Sequence, residues 1–238
     1  MATDYLRIYD DHASTYDRLV SAEDHPRNLL RAIESIRPVA GAAVLEVGVG
    51  TGRVAAQLLD AGCGRLVGVD RAAAMIDVAR SKLGDRAELI VADGRELEVG
   101  ASWADLAVAA WVFGHLRHWM PDGWQDAVGE ALTGMRRALR PGGVLLLVET
   151  LGTGRTEPAP PNPALAEYFD WLEGEEGLTR TAIRTDYRFA SRAEARELVG
   201  FFFGETMLSL LPERDEPDGT VILPECTGIW SAPCGISR

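Results

Sequence analysis

Val44-Leu45-Glu46-Val47-Gly48-Val49-Gly50-Thr51-Gly52-Arg53 decides the fold of this 238-residue chain. The stretch begins with the apolar, β-branched character of a buried strand. Its three alternating glycines lack a Cβ, so they predict a tight turn whose N–H groups can lie directly against a ligand. The residues after the turn predict a helix, and a helix N-terminus offers unpaired N–H donors to an anionic group. The stretch therefore predicts a strand, a cofactor-binding turn and a helix.

The spacing of the glycines distinguishes between cofactors. The dinucleotide fingerprint G-x-G-x-x-G needs a glycine at position 53, where this chain has Arg53. The third glycine is instead Gly52, and the acidic Glu46 precedes the first glycine by two positions. The pattern E-x-G-x-G-x-G resembles the first motif of the class I S-adenosylmethionine (SAM) methyltransferases. A glycine-rich turn without a ligand is the alternative at this point.

Two further strands are predicted to end on acids. Arg65 to Asp70 forms the second strand, and its last residue lies about as far beyond Gly48 as a ribose-binding acid does in nucleotide-binding folds. A carboxylate accepts two hydrogen bonds at once, which suits the vicinal hydroxyls of a ribose, although an acid at a strand end is also a common helix cap. Glu88 to Asp93 forms the third strand. The resemblance implies that Asp93 accepts a hydrogen bond from the adenine amine.

The resemblance extends to other strand ends. Leu139-Arg-Pro-Gly-Gly143 before a hydrophobic fifth strand is familiar in these enzymes, and the specific likeness covers about residues 41–150. It implies that Arg71 and Met75 flank the adenine, although Met75 equally suits the core. The predicted cofactor-binding residues are Tyr16, Glu46, Gly48, Val49, Gly50, Thr51, Gly52, Asp70, Arg71, Met75, Ala92, Asp93, Gly94, Ala110 and Trp111.

The segment after the fourth strand bears on the substrate. It lacks the Asn/Asp-Pro-Pro-Tyr/Phe motif of methyltransferases that act on base amines or glutamine, and the Pro-Cys of those that act on cytosine carbon. It does contain His115 and His118, which we predict as candidate bases because an imidazole with a pKa near ~6.5 is largely neutral at pH 7. Local packing beside Trp111 and Trp119 is the alternative role.

The predicted fold class is α/β, a doubly wound Rossmann-like sheet of seven strands, mostly parallel with the last strand antiparallel. We expect a single domain. Its parts are a helical cap over 1–40, a SAM-binding core over 41–150, a lid or substrate insertion over 151–190, and a last helix with closing strands over 191–238. A surface helix is the alternative to the lid.

Several boundaries follow from local patterns. Residues 4–37 have helical spacing that Pro26 interrupts. Tyr16 and Asp17 resemble a Tyr-Asp element whose tyrosine closes over the methionine end of SAM, with a core tyrosine as the alternative. Ser191 to Glu194 is a capping box, and residues 201–211 and 221–230 are predicted as the closing strands.

Composition limits the partners. The chain has 24 basic and 36 acidic residues, a net charge of −12, which argues against an electrostatic nucleic-acid footprint. Three widely spaced cysteines suggest neither disulfides nor a zinc site, so we expect a reduced cytoplasm and no metal. No export signal, membrane anchor or nucleic-acid partner is expected. The oligomeric state, monomer or homodimer, is left open.

These observations predict SAM-dependent methyl transfer to a small molecule, with O- or N-methylation favoured and S-adenosylhomocysteine as the product. Alignment of the reactants can contribute roughly 7–11 kcal/mol, compared with about 3–5 kcal/mol from a general base, so a base is helpful but dispensable. The alternatives are a non-catalytic SAM-binding or partner protein of the same fold and, with less support, a nicotinamide-dependent oxidoreductase.

Overall fold

Helices and strands alternate along the chain in the computed structural model, which describes residues 5–235. The strands are β1 (Ala43–Val47), β2 (Arg65–Asp70), β3 (Glu88–Val91), β4 (Ala104–Ala110), β5 (Leu139–Thr153), β6 (Thr179–Arg184), β7 (Tyr187–Phe189), β8 (Val221–Leu223) and β9 (Glu225–Pro233). The helices are α1 (Tyr5–Asp11), α2 (Ala13–Ser21), α3 (Asn28–Ile36), α4 (Arg53–Asp60), α5 (Ala73–Leu83), α6 (Gly114–Trp119), α7 (Trp124–Ala138), α8 (Pro163–Gly174) and α9 (Arg192–Phe203). Short 3₁₀ turns span Gly84–Arg86 and Glu205–Leu210.

Within the described residues, seven strands form one sheet in the order β3-β2-β1-β4-β5-β9-β6. β1 pairs in parallel with both β2 and β4, and β9 runs antiparallel between β5 and β6. The predicted α/β sheet with an antiparallel last strand is therefore confirmed. β7 and β8 form a separate antiparallel pair.

The sheet is buried on both faces, as a parallel sheet covered by helices must be. Val44 of β1 packs with α3, α4 and α5 on one face, and its neighbour Leu45 packs with α7 and α8 on the other. Both side chains have 0% exposure. The continuous apolar run that predicted a buried strand reflects this two-sided burial.

One predicted closing strand is wrong. Phe201 to Phe203 end α9 and the residues up to Leu210 form the 3₁₀ turn, because Leu198, Val199 and Phe202 continue one helical face against β7 and β8. The strand that takes its place in the sheet is β6, which the sequence did not predict. It is an edge strand whose first residues are exposed and show no apolar alternation. Ser191 does cap α9 as predicted, accepting from Glu194 N–H at 3.2 Å.

The N-terminal region divides differently from the expectation. The helical region is interrupted at His12 and over 22–27, and not at Pro26 alone. The expected first helical residue, Asp4, lies outside the described residues. Asp24 shapes the second break, because its carboxylate accepts from the N–H groups of Asn28 and Leu29 at 2.8 and 3.1 Å. This capping directs α3 back over the sheet.

Candidate active site

A cavity of about 270 Å³ lies outside the carboxyl ends of β1 to β4, where the strand order reverses. Ligands of open α/β sheets bind at such a switch point. Most of the predicted cofactor residues line it. The lining residues are Leu6, Tyr9, Tyr16, Val47, Gly48, Gly50, Val69, Asp70, Arg71, Met75, Ala92, Asp93, Gly94, Arg95, Ala110, Trp111, Val112, Phe113, His115, Leu116, Trp119 and Met120.

The three glycines of the loop serve different purposes, although all have positive φ. A Cβ on Gly48 would lie 2.2 Å from Val112 Cγ2, so this position permits close packing of the cavity wall. A Cβ on Gly52 would lie 3.0 Å from Leu83 Cδ1 of α5. A Cβ on Gly50 would meet nothing closer than 4.0 Å. Gly50 therefore leaves open space beside the backbone, the arrangement that a close-lying cofactor requires.

Asp70 links the glycine loop to the second strand. Its carboxylate accepts from Gly50 N–H at 2.8 Å and from Ala72 N–H at 2.9 Å. Burial raises the pKa of Asp70, while these backbone donors oppose the shift. Each carboxylate oxygen can accept a further hydrogen bond, so the side chain both supports the loop and presents acceptors to the cavity.

The third strand ends in an ion pair that the sequence did not reveal. Arg95 binds Asp93 through Nη2–Oδ2 at 2.7 Å and Nε–Oδ1 at 2.9 Å, and this hydrogen bonding lowers the pKa of Asp93. Arg95 also lines the cavity. The predicted adenine acceptor is thus an ionised carboxylate with a fixed orientation.

Four predicted cofactor residues do not line the cavity. Val49 packs in the core beneath the loop, and Gly52 packs against α5. Thr51 is 2% exposed, with a buried hydroxyl that has no hydrogen-bond partner within residues 5–235. Glu46 is likewise buried behind the loop. These four residues therefore lie beside the cavity and not in its wall.

The buried carboxyls have shifted pKa values. Burial raises the pKa of Glu46 to about 8, partly offset by Arg53. Burial also raises the pKa of Glu225 to about 8 and that of Glu149 to about 7. Glu149 accepts from Gly114 N–H at 2.9 Å and so holds the start of α6. Glu46 and Glu225 therefore mostly keep their protons at pH 7, whereas Glu149 is close to its midpoint there.

This protonation predicts a pH dependence of stability. In the unfolded chain these carboxyls have a pKa of about 4.3, whereas in the folded protein their pKa is raised. A raised pKa stabilises the fold at low pH, and this contribution is lost as the pH rises from the unfolded pKa to the folded pKa. We expect the free energy of unfolding, measured with urea, to fall by more than about 1.4 kcal/mol between pH 5.5 and 8.5. Glu46→Gln should flatten the curve, and a wild-type stability that rises over this range would contradict the assignment.

Trp111 follows β4 in a strained conformation. Its φ is +56°, which costs a bulky residue about 1–3 kcal/mol. Its N–H donates to Val148 O at 2.7 Å, and the Arg53 guanidinium lies 4.4 Å from its ring centre. Arg53 in turn pairs with the buried Glu23, Nη2–Oε2 at 3.2 Å. The strained ring is therefore held in the cavity wall from two sides.

Aromatic rings from the N-terminal helices cover the cavity. Tyr9 of α1 and His115 of α6 share a hydrogen bond, hydroxyl to Nε2, of 2.9 Å. Trp119 stacks on His115 with ring centres 5.0 Å apart, and Tyr9 meets Tyr16 edge to face at 5.3 Å. Burial lowers the pKa of His115 to about 4, so the imidazole is neutral at pH 7. His118 does not line the cavity.

The residues that sequence reasoning missed are mainly apolar. Their common feature is position, since they flank the strand ends or lie on α1 and α6: Leu6, Tyr9, Val47, Val69, Arg95, Val112, Phe113, Leu116, Trp119 and Met120. The short distance along the chain from the end of β4 could have indicated the cavity-lining residues of α6. Tyr9 had no local signal, because its contact with His115 depends on how α1 folds over the sheet edge.

The expected lid is not part of this cavity, since no residue of 151–190 lines it. Tyr168 and Phe169 of α8 have 0% and 1% exposure and pack on the core. Phe169 stacks on Trp230 of β9 with ring centres 4.5 Å apart. The aromatic residues that suggested a substrate wall instead anchor a packed helix, the alternative that the sequence left open.

Among residues 5–235, no helix combines the length and apolar character needed to cross a membrane.

The fold and site together define the class. A sheet of this order, an open glycine loop at β1 and an acid at the end of β2 are the features of a class I SAM-dependent methyltransferase. The chain's own geometry fits that cofactor, because the open face of Gly50, the acceptors of Asp70 and the apolar wall around Met75 surround one cavity.

Sequence comparison agrees with this class. A family model described as a methyltransferase domain matches residues 45–147. An uncharacterized methyltransferase of Geobacillus kaustophilus is 30% identical over 155 residues, covering 63% of this chain and 68% of that protein. The uncharacterized methyltransferase YrrT of Bacillus subtilis is 32% identical over 121 residues, covering 49% of this chain and 56% of that protein.

Solved structures share the fold. Phosphoethanolamine N-methyltransferase 2 of Haemonchus contortus is 17% identical, with a TM-score of 0.62 over 98% of this chain and 59% of that chain. The YcgJ protein of Bacillus subtilis is 16% identical, with a TM-score of 0.57 over 89% of this chain and 99% of that chain. The chain belongs to the class I SAM-dependent methyltransferases, and its cofactor is SAM.

Proposed function

We propose that this enzyme methylates a small-molecule acceptor at oxygen or nitrogen, beside the Tyr9–His115 pair. The observation that carries the proposal is the placement of this hydrogen-bonded pair in the same cavity as Gly50 and Asp70. A cavity roofed by Tyr9, Tyr16 and Trp119 suits a small acceptor better than a polymer. The Haemonchus relative, whose solved complex contains phosphomonomethylethanolamine, supports a small acceptor of this kind.

Each part of the site has a proposed role. Gly48, Gly50 and Asp70 hold the cofactor, and Arg71, Met75 and Asp93 border its adenine. When bound, SAM supplies an activated methyl group together with its own leaving group. The chain's contribution is then to align the acceptor and exclude water, for which the aromatic roof over His115 is suited.

The Tyr9–His115 pair is proposed to receive the acceptor's proton. The imidazole is neutral at pH 7 because burial lowers its pKa to about 4. A neutral ring has one nitrogen that accepts and one that donates, so the pair can take up one proton, either directly at His115 or at the Tyr9 oxygen as the tyrosine's own proton passes to His115. The low pKa makes this base weak, which agrees with alignment as the larger contribution. His118 is the less suitable candidate because it lies outside the cavity.

Asp70→Ala tests the cofactor assignment. Loss of charge-assisted hydrogen bonds should cost roughly 1.5–3 kcal/mol and weaken SAM about ten- to hundredfold by calorimetric titration. Asp77→Ala on the exposed face of α5 is the control and should bind SAM normally. A change of less than about threefold in Asp70→Ala would assign this residue to loop support alone.

Transfer itself is tested with isotopically labelled SAM and a small-molecule extract. We expect label to enter low-molecular-weight products only when enzyme is present. Tight SAM binding without any transfer would instead support a non-catalytic SAM-binding protein.

A further inference from the structure

The ionised side chains that line the cavity all follow the second and third strands. They are Asp70 and Arg71 after β2, and Asp93 and Arg95 after β3. Asp93 and Arg95 pair with each other, and Asp70 accepts from the backbone N–H groups of Gly50 and Ala72. The charge in the cavity wall is therefore confined to the side on which we place the cofactor.

The opposite part of the wall has no ionised side chain among residues 5–235. It is formed by α1, α2, α6 and the segment after β4, through Leu6, Tyr9, Tyr16, Trp111, Val112, Phe113, His115, Leu116, Trp119 and Met120. We call these ten residues the uncharged wall. Arg117, the arginine of α6, does not line the cavity and pairs with Glu167 of α8 at 2.6 Å. A charged ligand lying against the uncharged wall therefore meets no opposite charge there.

Two side chains of the uncharged wall show how this environment acts on charge of either sign. Burial lowers the pKa of His115 to about 4, so a positive charge on that ring is disfavoured at neutral pH. Burial, with Tyr16 and other neighbours adding to it, raises the pKa of Tyr9 well above its usual value, so a negative charge is disfavoured as well. Desolvation opposes both charges because neither gains a partner that offsets the lost hydration.

Leu6 extends the uncharged wall to the protein surface. Its side chain lines the cavity and is 36% exposed. Within residues 5–235, the only other large apolar side chain that is exposed is Val91 of β3, which lies outside the cavity. The cavity therefore presents apolar surface to a ligand that arrives from solvent, and burial of such surface favours binding of an apolar molecule.

We propose that the methyl acceptor is an uncharged molecule with a mainly apolar surface, which packs against the uncharged wall and directs a hydroxyl or an uncharged nitrogen toward the Tyr9–His115 pair. The inference rests on the proposed function, since it names the substrate class of the same site. Apolar packing supplies binding free energy without a counter-charge, and the hydrogen-bonded pair supplies the polar contact that orients the reacting atom. An ammonium group or a phosphate ester would lose its hydration here without gaining a partner.

The test separates a small-molecule extract before the reaction. Ion exchange gives cationic, anionic and uncharged fractions, and the uncharged fraction is divided further between water and an organic solvent. Each fraction is incubated with labelled SAM and the wild-type enzyme. We expect label mainly in products of the uncharged fraction that enters the organic solvent.

Label formed mainly from the cationic, anionic or water-retained fraction would overturn the inference while supporting methyl transfer to a small molecule. Absence of label from every fraction, with SAM still bound in calorimetric titration, would contradict the proposed function and the inference that rests on it.

Leu6→Asp places a charge in the uncharged wall at a side chain that is already partly in water. Uptake of label from the apolar fraction should fall at least about fivefold, while SAM affinity stays within about twofold of wild type. Val91→Asp adds the same charge at the exposed apolar side chain outside the cavity and should leave uptake unchanged. Uptake by Leu6→Asp within about twofold of wild type would contradict this placement of the acceptor. If thermal unfolding shows that Leu6→Asp is not folded, the distribution of label among the wild-type fractions decides alone.

Discussion

Replacement of Gly50 by valine is expected to abolish SAM binding while the protein stays folded. The φ of Gly50 is +53°, and its missing Cβ faces open space, with the nearest atom 4.0 Å away. A branched side chain at this position projects into the cavity in which we propose that the cofactor binds. We expect affinity to fall at least about a hundredfold, roughly 2.7 kcal/mol, in calorimetric titration.

Gly62→Val is the matched control for backbone strain. Gly62 also has positive φ, +85°, and no atom within 4 Å of a Cβ, but it lies after α4 and outside the cavity. Both variants should lose stability, because valine disfavours positive φ. Only Gly50→Val should lose SAM. Equal SAM affinity in the two variants would show that the glycine loop is not part of the cofactor site.

Substitution of His115 by alanine is expected to lower turnover about 10²- to 10⁴-fold with little change in SAM affinity. The proposed reason is loss of the group that shares a proton with Tyr9 across 2.9 Å. Because burial holds the pKa of His115 near 4, its neutral form persists well below pH 6. Single-turnover rates should therefore show no loss from His115 protonation between pH 8 and about 5. An enzyme whose base is an exposed histidine would lose activity over this range.

His118→Ala provides the comparison within the same helix. His118 lies outside the cavity and should be replaced with little effect on turnover. Tyr9→Phe removes the hydroxyl but keeps the ring, so it should lose a smaller part of the rate. Turnover of His115→Ala within a fewfold of wild type would leave alignment as the whole mechanism.

The residues of the proposed cofactor half of the site could be brought together from sequence because their signals are local. Gly48, Gly50 and Gly52 specify a strand-to-helix turn within a few residues of sequence. Asp70 and Asp93 terminate strands that must share an edge, since parallel strands all point the same way. Backbone geometry thus brings these residues together whatever the rest of the chain does.

The proposed acceptor half of the site depends on tertiary contacts. Tyr9 meets His115 only because α1 crosses the sheet edge, and Arg53 meets Trp111 only because α4 and β4 are neighbours of β1. β6 carried no hydrophobic alternation, since its exposed edge position needs none.

Local sequence therefore determined the α/β sheet, the glycine loop and the acids at the strand ends, because each depends on short-range backbone preferences and on the shared direction of parallel strands. Tertiary structure alone determined that α8 packs on the core, that Phe201 to Phe203 are helical, and that Glu225 is buried. The physical reason is that burial and charge pairing are sums over residues distant in the chain. A side chain's pKa and partners are set by those distant neighbours once the helices have packed on the sheet.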